Sequence, residues 1–230
     1  MMHYADRARL LDPSPMPLEM GWERHDNGVL HIAIRTDMHG CTGEMFEYWF
    51  ASRPDTREYR WWHPLDHVAS AWIEGTPGVI PGSIHQVEER FTDLPAQTLS
   101  IQFCEPTEFF DKEDIAAARA AGDVSALLCV RGGNGYEPRR TPDGKVIGTR
   151  LFHVGRDTPW GMVLRTHFFM GQDLADMVGM PPAQIEAIFP DMLGPNTLQH
   201  AYDEFSFLSR LLPGIWTAEG CAPESITRPW

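Results

Sequence analysis

Three short stretches of this 230-residue chain set imidazoles and carboxylates where they could act together. His200 and Glu204 stand four residues apart in a segment of helical periodicity, so they share one side of a helix, one turn removed. On the helical wheel both fall inside the apolar arc, beside Phe207 and Leu211, and not among the polar residues. A carboxylate facing a core costs several kcal/mol or takes up a proton unless something compensates its charge. A divalent cation is one such partner. The competing reading is a His-Glu pair that satisfies itself at the core edge.

The second stretch, Trp61-Trp62-His63-Pro64-Leu65-Asp66-His67, sets two histidines and an aspartate among bulky aromatics. Pro64 disfavours helix for the residue before it, so His63 and His67 are not two ligands on one helical turn. The stretch reads as a rigid loop that enters a strand and offers one ligand, or as a packed loop with surface histidines. In the third, Ser83 to Phe91, a period of two puts His85, Val87, Glu89 and Phe91 on one face, which the apolar pair marks as inward. Glu89 then points inside and Glu88 outside, and a slip of one residue would exchange them.

Imidazole nitrogen with carboxylate oxygen suits Zn²⁺ and is tolerated by Mn²⁺ and Fe²⁺. The chain has no His-Glu-x-x-His, Gly-x-Ser-x-Gly elbow, P-loop or dinucleotide fingerprint, which removes serine-hydrolase and nucleotide chemistry. Pro81 to His85 followed by Glu89 has a cupin-like order but lacks the His-x-His element.

Elements must position these residues. Trp22 to Arg24 and Leu30 to Arg35 flank an Asp26-Asn27-Gly28 turn and form a hairpin. Thr42 caps a short helix through about Phe50, and Ser52 to Glu58 reads as a polar loop. Strands are expected at 68–73, 83–91, 98–103, 124–130, 146–154 and 162–170, with short helices at 111–121 and from Pro181-Pro182 to Ile188. The last element, Thr197 to about Leu212, carries an apolar stripe of Leu198, Ala201, Phe205, Leu208 and Leu212, widened by Phe207 and Leu211. Its arc covers roughly half the circumference, wider than the ~100° usual for a surface helix. Such a helix needs a curved partner, and a large antiparallel sheet gripping it, with a cavity between, meets that need: an α+β fold.

The length and 43% hydrophobic content suit one domain spanning residues 1–230, with an extended arm over about 1–20. A net charge of −13 without a basic run repels phosphate backbones and anionic bilayers, so neither nucleic acid nor membrane is an expected partner. Cys41, Cys104, Cys129 and Cys221 form no Cys-x-x-Cys pair, and the first residues show no secretory signal, so a reducing cytoplasm is expected.

The chain resembles the 2,4-diacetylphloroglucinol hydrolase family of zinc-dependent carbon-carbon hydrolases, which includes phloretin hydrolase. The resemblance rests on Glu44-Met45-Phe46-Glu47-Tyr48-Trp49-Phe50, Trp62-His63-Pro64-x-Asp66-His67, Val87-Glu88-Glu89, His153-x-x-Arg156-Asp157-Thr158-x-x-Gly161 and His200-x-x-x-Glu204. It implies a helix-grip, Bet v 1-like fold and zinc held by His63, Glu89, His200 and Glu204. It also implies His153 and Asp66 as catalytic residues, and Trp62, His67 and Phe168 against the substrate. That substrate is an acylated phenol or related enolisable ketone, whose ring leaves as a stabilised enolate after water adds to the acyl carbonyl. Asp66 stands where the resemblance favours Asn, and Phe168 where it favours Tyr, which points to changed ring specificity. A homodimer is compatible with the resemblance. Two other classes remain open, a non-catalytic binder of apolar aromatic ligands and a metal-dependent lyase or isomerase on a related ketone.

Overall fold

In the computed structural model, which describes residues 2–220, the chain opens with a 3-10 helix, Tyr4–Leu11, followed by the hairpin of β1 (Gly21–Arg24) and β2 (Leu30–His39). Two helices come next. In α1 (Gly43–Ala51) the Thr42 side chain accepts from the Met45 amide, and Asp157 Oδ1 accepts from the Gly43 amide at 2.7 Å, which explains an aspartate in that sequence motif. Next, α2 (Thr56–Trp62) begins inside the run expected to be a polar loop. Asp55 and Glu58 form a capping box there, enough to start a helix whose apolar side, Tyr59 and Trp62, is buried.

Then follow β3 (His67–Glu74), β4 (Ile84–Glu89), β5 (Gln97–Cys104), α3 (Lys112–Ala121), β6 (Ala126–Asn134), β7 (Thr149–Thr158) and β8 (Gly161–Met170). The chain closes with α4 (Gln172–Asp176), α5 (Pro182–Ile188) and α6 (Leu193–Ala218). The eight strands form one antiparallel sheet in the order β1-β2-β8-β7-β6-β5-β4-β3. With α6 packed along its inner face, this is the helix-grip fold expected from the wide apolar arc.

Alternation along each strand separates two cores. Ala126, Leu128 and Val130 of β6 face inward to Phe205, Leu208 and Leu212 of α6. Leu127 and Cys129, their neighbours, face outward with Phe152 and Phe169. The first residues of the chain cover that outer face: Met2, Leu10 and Leu11 pack into the outer core, and Arg165 donates to the carbonyls of Asp12 and Ser14 and to Glu19. The arm expected to be extended is therefore wound and docked, held by tertiary contacts that local periodicity does not register.

Two further expectations shift at α6. It runs past Leu212 through Pro213, which leaves the Ser209 carbonyl without its helical donor; Cys41 Sγ lies 3.5 Å from that oxygen and supplies one. Leu211 is 37% exposed, so the buried arc is narrower on that side than the wheel suggests. Cys41, Cys104 and Cys129 are free thiols, and Cys221 lies outside the described residues. No helix among the described residues is long and apolar enough to cross a membrane.

Candidate metal centre

One ligand atom each from His67, Glu89 and His200 lie within 4.8 Å of one another, all buried. The backbone assembles them from three elements. His67 opens β3 and pairs across the ladder with Glu89 at the end of β4. His200 and Glu204 project from successive turns of α6. The His67 Nδ1–H donates to the Tyr59 carbonyl at 2.8 Å, which turns Nε2 inward. That nitrogen has no hydrogen-bond partner and stands 3.7 Å from Glu89 Oε2 and 3.8 Å from Glu204 Oε1. His200 is oriented in the same manner, its Nδ1 donating to Asp66 Oδ2 at 2.9 Å.

His63, Asp66 and His200 form an adjoining group. The His63 ring stacks on His200 with centroids 4.8 Å apart, and its Nε2 lies 3.6 Å from Asp66 Oδ2. The resemblance implies His63 beside the glutamates and His67 against substrate. The structure instead turns His67 toward the glutamates, because the turn from His63 to His67, closed by a 3.0 Å bond from the His67 amide to the His63 carbonyl, reorients the chain between the two rings. Asp66 was expected at the reacting atoms. Its carboxylate lies behind His200, where it also accepts the Thr92 amide at 2.9 Å. Thr92 holds a left-handed φ of 55° to deliver that amide, a conformation a β-branched residue adopts only under constraint.

Burial pushes Glu204 up to about 8, with Glu89 adding to the rise, and burial also raises Glu89, whose Oε2 accepts the Tyr59 hydroxyl. Burial works against a charged His200, yet the Asp66 bond and the two glutamates outweigh it and hold that ring above its ordinary value. Among the described residues, the ion-pair contacts of both glutamates run to His67. A buried carboxylate on Glu89, a mostly buried one on Glu204, an unpartnered imidazole nitrogen between them and a second oriented imidazole form a donor set that fits a divalent cation. The spacings are a few tenths of an ångström wider than the about 3.3 Å edge of a tetrahedral nitrogen and oxygen set.

The group opens on an apolar cavity between sheet and helix, walled by Phe50, Trp62, Leu99, Phe103, Leu151, Phe168 and Met170. Trp62 and Phe168 thus both line this cavity. His153 reaches the cavity from β7; its Nδ1 is 2.9 Å from Thr166 Oγ1, and burial among Phe46, Phe50 and Phe205 pushes it down to about 3. At neutral pH the ring carries one proton and cannot act as an imidazolium. When the Thr166 hydroxyl donates to Nδ1, that proton sits on Nε2.

Two cavity residues escaped the sequence reading. Tyr59 was hidden by the misread loop, although Asp55 and Glu58 spell its capping box. His85 was placed on the inward face with Glu89 but given no role; it stacks on Trp72 at 4.3 Å and its Nε2 is unpartnered.

The model of the DAPG hydrolase PhiG domain family matches residues 2–217. Two curated relatives named 2,4-diacetylphloroglucinol hydrolase, from Pseudomonas sp and Pseudomonas protegens, are each 23% identical, covering 94% of this chain and 76% and 73% of their own lengths. Among solved structures, protein Ms6760 from Mycobacterium smegmatis is similar with a TM-score of 0.45 at 10% identity, over 83% of this chain and 94% of that one.

Proposed function

The chain belongs to the DAPG hydrolase PhiG domain family, and from that premise we propose that it hydrolyses the carbon-carbon bond between an aromatic ring and its acyl group, on an acylated phenol or related enolisable ketone. We assign the metal to His67, Glu89, His200 and Glu204, with zinc favoured by the donor set. This replaces His63 by His67 in the set implied by the resemblance. The observation that carries the reading is the pair of glutamates, Glu89 buried and Glu204 mostly so, flanking the unpartnered Nε2 of His67 beside an apolar cavity.

A divalent ion at this position would polarise a carbonyl and acidify water. The chain's own residues do the rest. The aromatic walls hold the ring of the substrate and exclude bulk water, so that polar contacts inside act at low dielectric. Held neutral, His153 offers Nε2–H to a ring oxygen on which charge develops as the ring leaves. Asp66 is a positioning residue: it fixes the His200 ring through Nδ1, while the Tyr59 carbonyl does the same for His67 and the Tyr59 hydroxyl orients Glu89. In the balanced reaction the acyl group takes the water oxygen as a carboxylic acid and the ring carbon takes a hydrogen. The buried free cysteines fit a cytoplasmic setting.

Elemental analysis of purified protein, followed by incubation with acylphloroglucinols and simpler aryl ketones, tests this. The expected result is bound zinc and release of a carboxylic acid with the deacylated phenol. Ligand binding without metal or product would make the protein a binder. Conversion without release of an acid would make it a lyase or isomerase.

A further inference from the structure

A second imidazole and carboxylate group lies on the opposite side of the sheet, away from the cavity. Glu23 Oε1 is 3.3 Å from His31 Nδ1 and 3.4 Å from His25 Nε2, and one ligand atom from each of the three lies within 4.8 Å of the others. Charge-assisted hydrogen bonds to a carboxylate are shorter, about 2.7–2.9 Å. The observed spacings match the edge of a tetrahedral site, about 3.3–3.4 Å for metal-ligand distances of about 2.0–2.1 Å.

The hairpin builds this arrangement. Glu23 and His31 are direct cross-strand partners, and the His25 amide closes on the Val29 carbonyl at 2.9 Å, so the Asp26-Asn27-Gly28 turn brings all three side chains together. His31 is fully buried and His25 is 4% exposed. Both rings are withdrawn from solvent, and each turns a ring nitrogen to the Glu23 carboxylate. The Met2 amide donates to the same Glu23 oxygen at 3.2 Å, and the roles of the two ring nitrogens facing it depend on which tautomer each ring adopts. Behind His31, Nε2 stands 3.0 Å from His167 Nδ1, an outer partner that lets the ring donate there and keep its Nδ1 lone pair for an ion. His3 lies against the group, its ring centroid 5.0 Å from that of His25.

We propose that Glu23, His25 and His31 form a second divalent-metal site that fastens the start of the chain to the outer face of the sheet. The occupant is a borderline first-row cation, zinc by its donor set. The site is structural: all three ligands come from the first hairpin, and the Met2 amide already reaches Glu23 at 3.2 Å, so an ion there stiffens the hairpin where the first residues dock.

The full chain is dialysed against zinc and then against metal-free buffer, and bound zinc is counted in the unmodified protein, His25→Gln and Glu23→Gln. The Gln at position 25 keeps an N–H donor for Glu23 but removes the imidazole ligand. The expected result is one equivalent less zinc in each variant, with hydrolysis of aryl ketones unchanged in His25→Gln. In a His200→Ala/Glu204→Gln background, cobalt should still bind with the visible bands of a tetrahedral site, and His25→Gln should abolish them. Equal zinc in the unmodified protein and both variants would overturn the proposal and leave an ion-free hydrogen-bond network. Should the double variant fail to fold, the zinc count in otherwise unmodified protein decides alone.

Discussion

The two imidazole and carboxylate groups occupy opposite faces of one sheet, and they differ in charge and in how they are assembled. The inner group gathers two carboxylates from β4 and α6 around His67 and His200, residues up to 137 positions apart. Burial raises both of its glutamates, so without a cation this group opposes its own ionisation. The outer group has one carboxylate, lowered by three surrounding donors, and comes mostly from a single hairpin. On the proposed assignment an ion would hold the charge of the first group, whereas the second can close on itself as hydrogen bonds when no ion is present. On that assignment, excess negative charge marks the centre where a metal would serve chemistry, while balanced charge marks the one where a metal would add rigidity.

The largest expected effect follows from that imbalance. His200→Ala should remove the inner metal and lower kcat by ~10³-fold or more, because three remaining ligands are left to hold an ion in an opened site. Glu89→Gln should also reduce metal content, whereas Glu88→Gln should leave it nearly intact. Tightly held inner zinc in His200→Ala, measured in the His25→Gln background so that only one site is counted, would break the comparison.

Acid stability separates the faces next. Burial alone drives His153 from 6.5 to about 3, whereas Glu23 pulls the outer His31 partly back to about 4. A ring with a lower value in the folded state takes up its proton more readily after unfolding. The stability it contributes is complete above its unfolded value of 6.5 and is lost as pH falls toward about 3. Between pH 7 and pH 5 this loss is about 2 kcal/mol. Urea midpoints at the two pH values should therefore draw closer together in His153→Leu; an unchanged spacing would mean the ring is not held neutral by burial.

Smaller effects are expected behind the ligands. Asp66→Asn should weaken inner metal affinity by about 10- to 100-fold, since the amide orients His200 less strongly than the carboxylate. His63→Gln should weaken it less than His67→Gln does. Competition with a chromophoric chelator ranks the three, and the reverse order for His63 and His67 would restore the ligand set implied by the resemblance.

What was legible in the sequence follows the range of the forces involved. The hairpin and α6 were readable because turn residues and a long period leave local signals, and Val87 and Phe91 correctly marked Glu89 as inward. The His63 and His67 orientations were not readable, because no period carries across the turn between them. The docked start of the chain depends on Arg165, about 150 residues away, and has no local signature. Glu23 opposite His31, by contrast, follows from the hairpin register and could have been found from the Asp26-Asn27-Gly28 turn alone.

The smallest predicted effect concerns the inner cavity alone, where specificity is set apart from the metal. Phe168 lies on β8 opposite Leu151 and lines the cavity two residues from Thr166, which bonds His153. A ring hydroxyl placed against this Phe loses water and gains no partner, a cost of ~1 to 3 kcal/mol. The unmodified enzyme should therefore turn over a less hydroxylated or bulkier aryl ketone better than 2,4-diacetylphloroglucinol by roughly tenfold in kcat/KM, or about 1.4 kcal/mol. Phe168→Tyr should narrow that ratio while leaving inner metal content unchanged, because residue 168 is not among the proposed ligands. Side-by-side kinetics on mono- and trihydroxylated acylbenzenes measure both. Higher efficiency on the trihydroxylated ketone in the unmodified enzyme would show that polar contacts elsewhere in the cavity, such as His85 or Tyr59, already satisfy the ring hydroxyls.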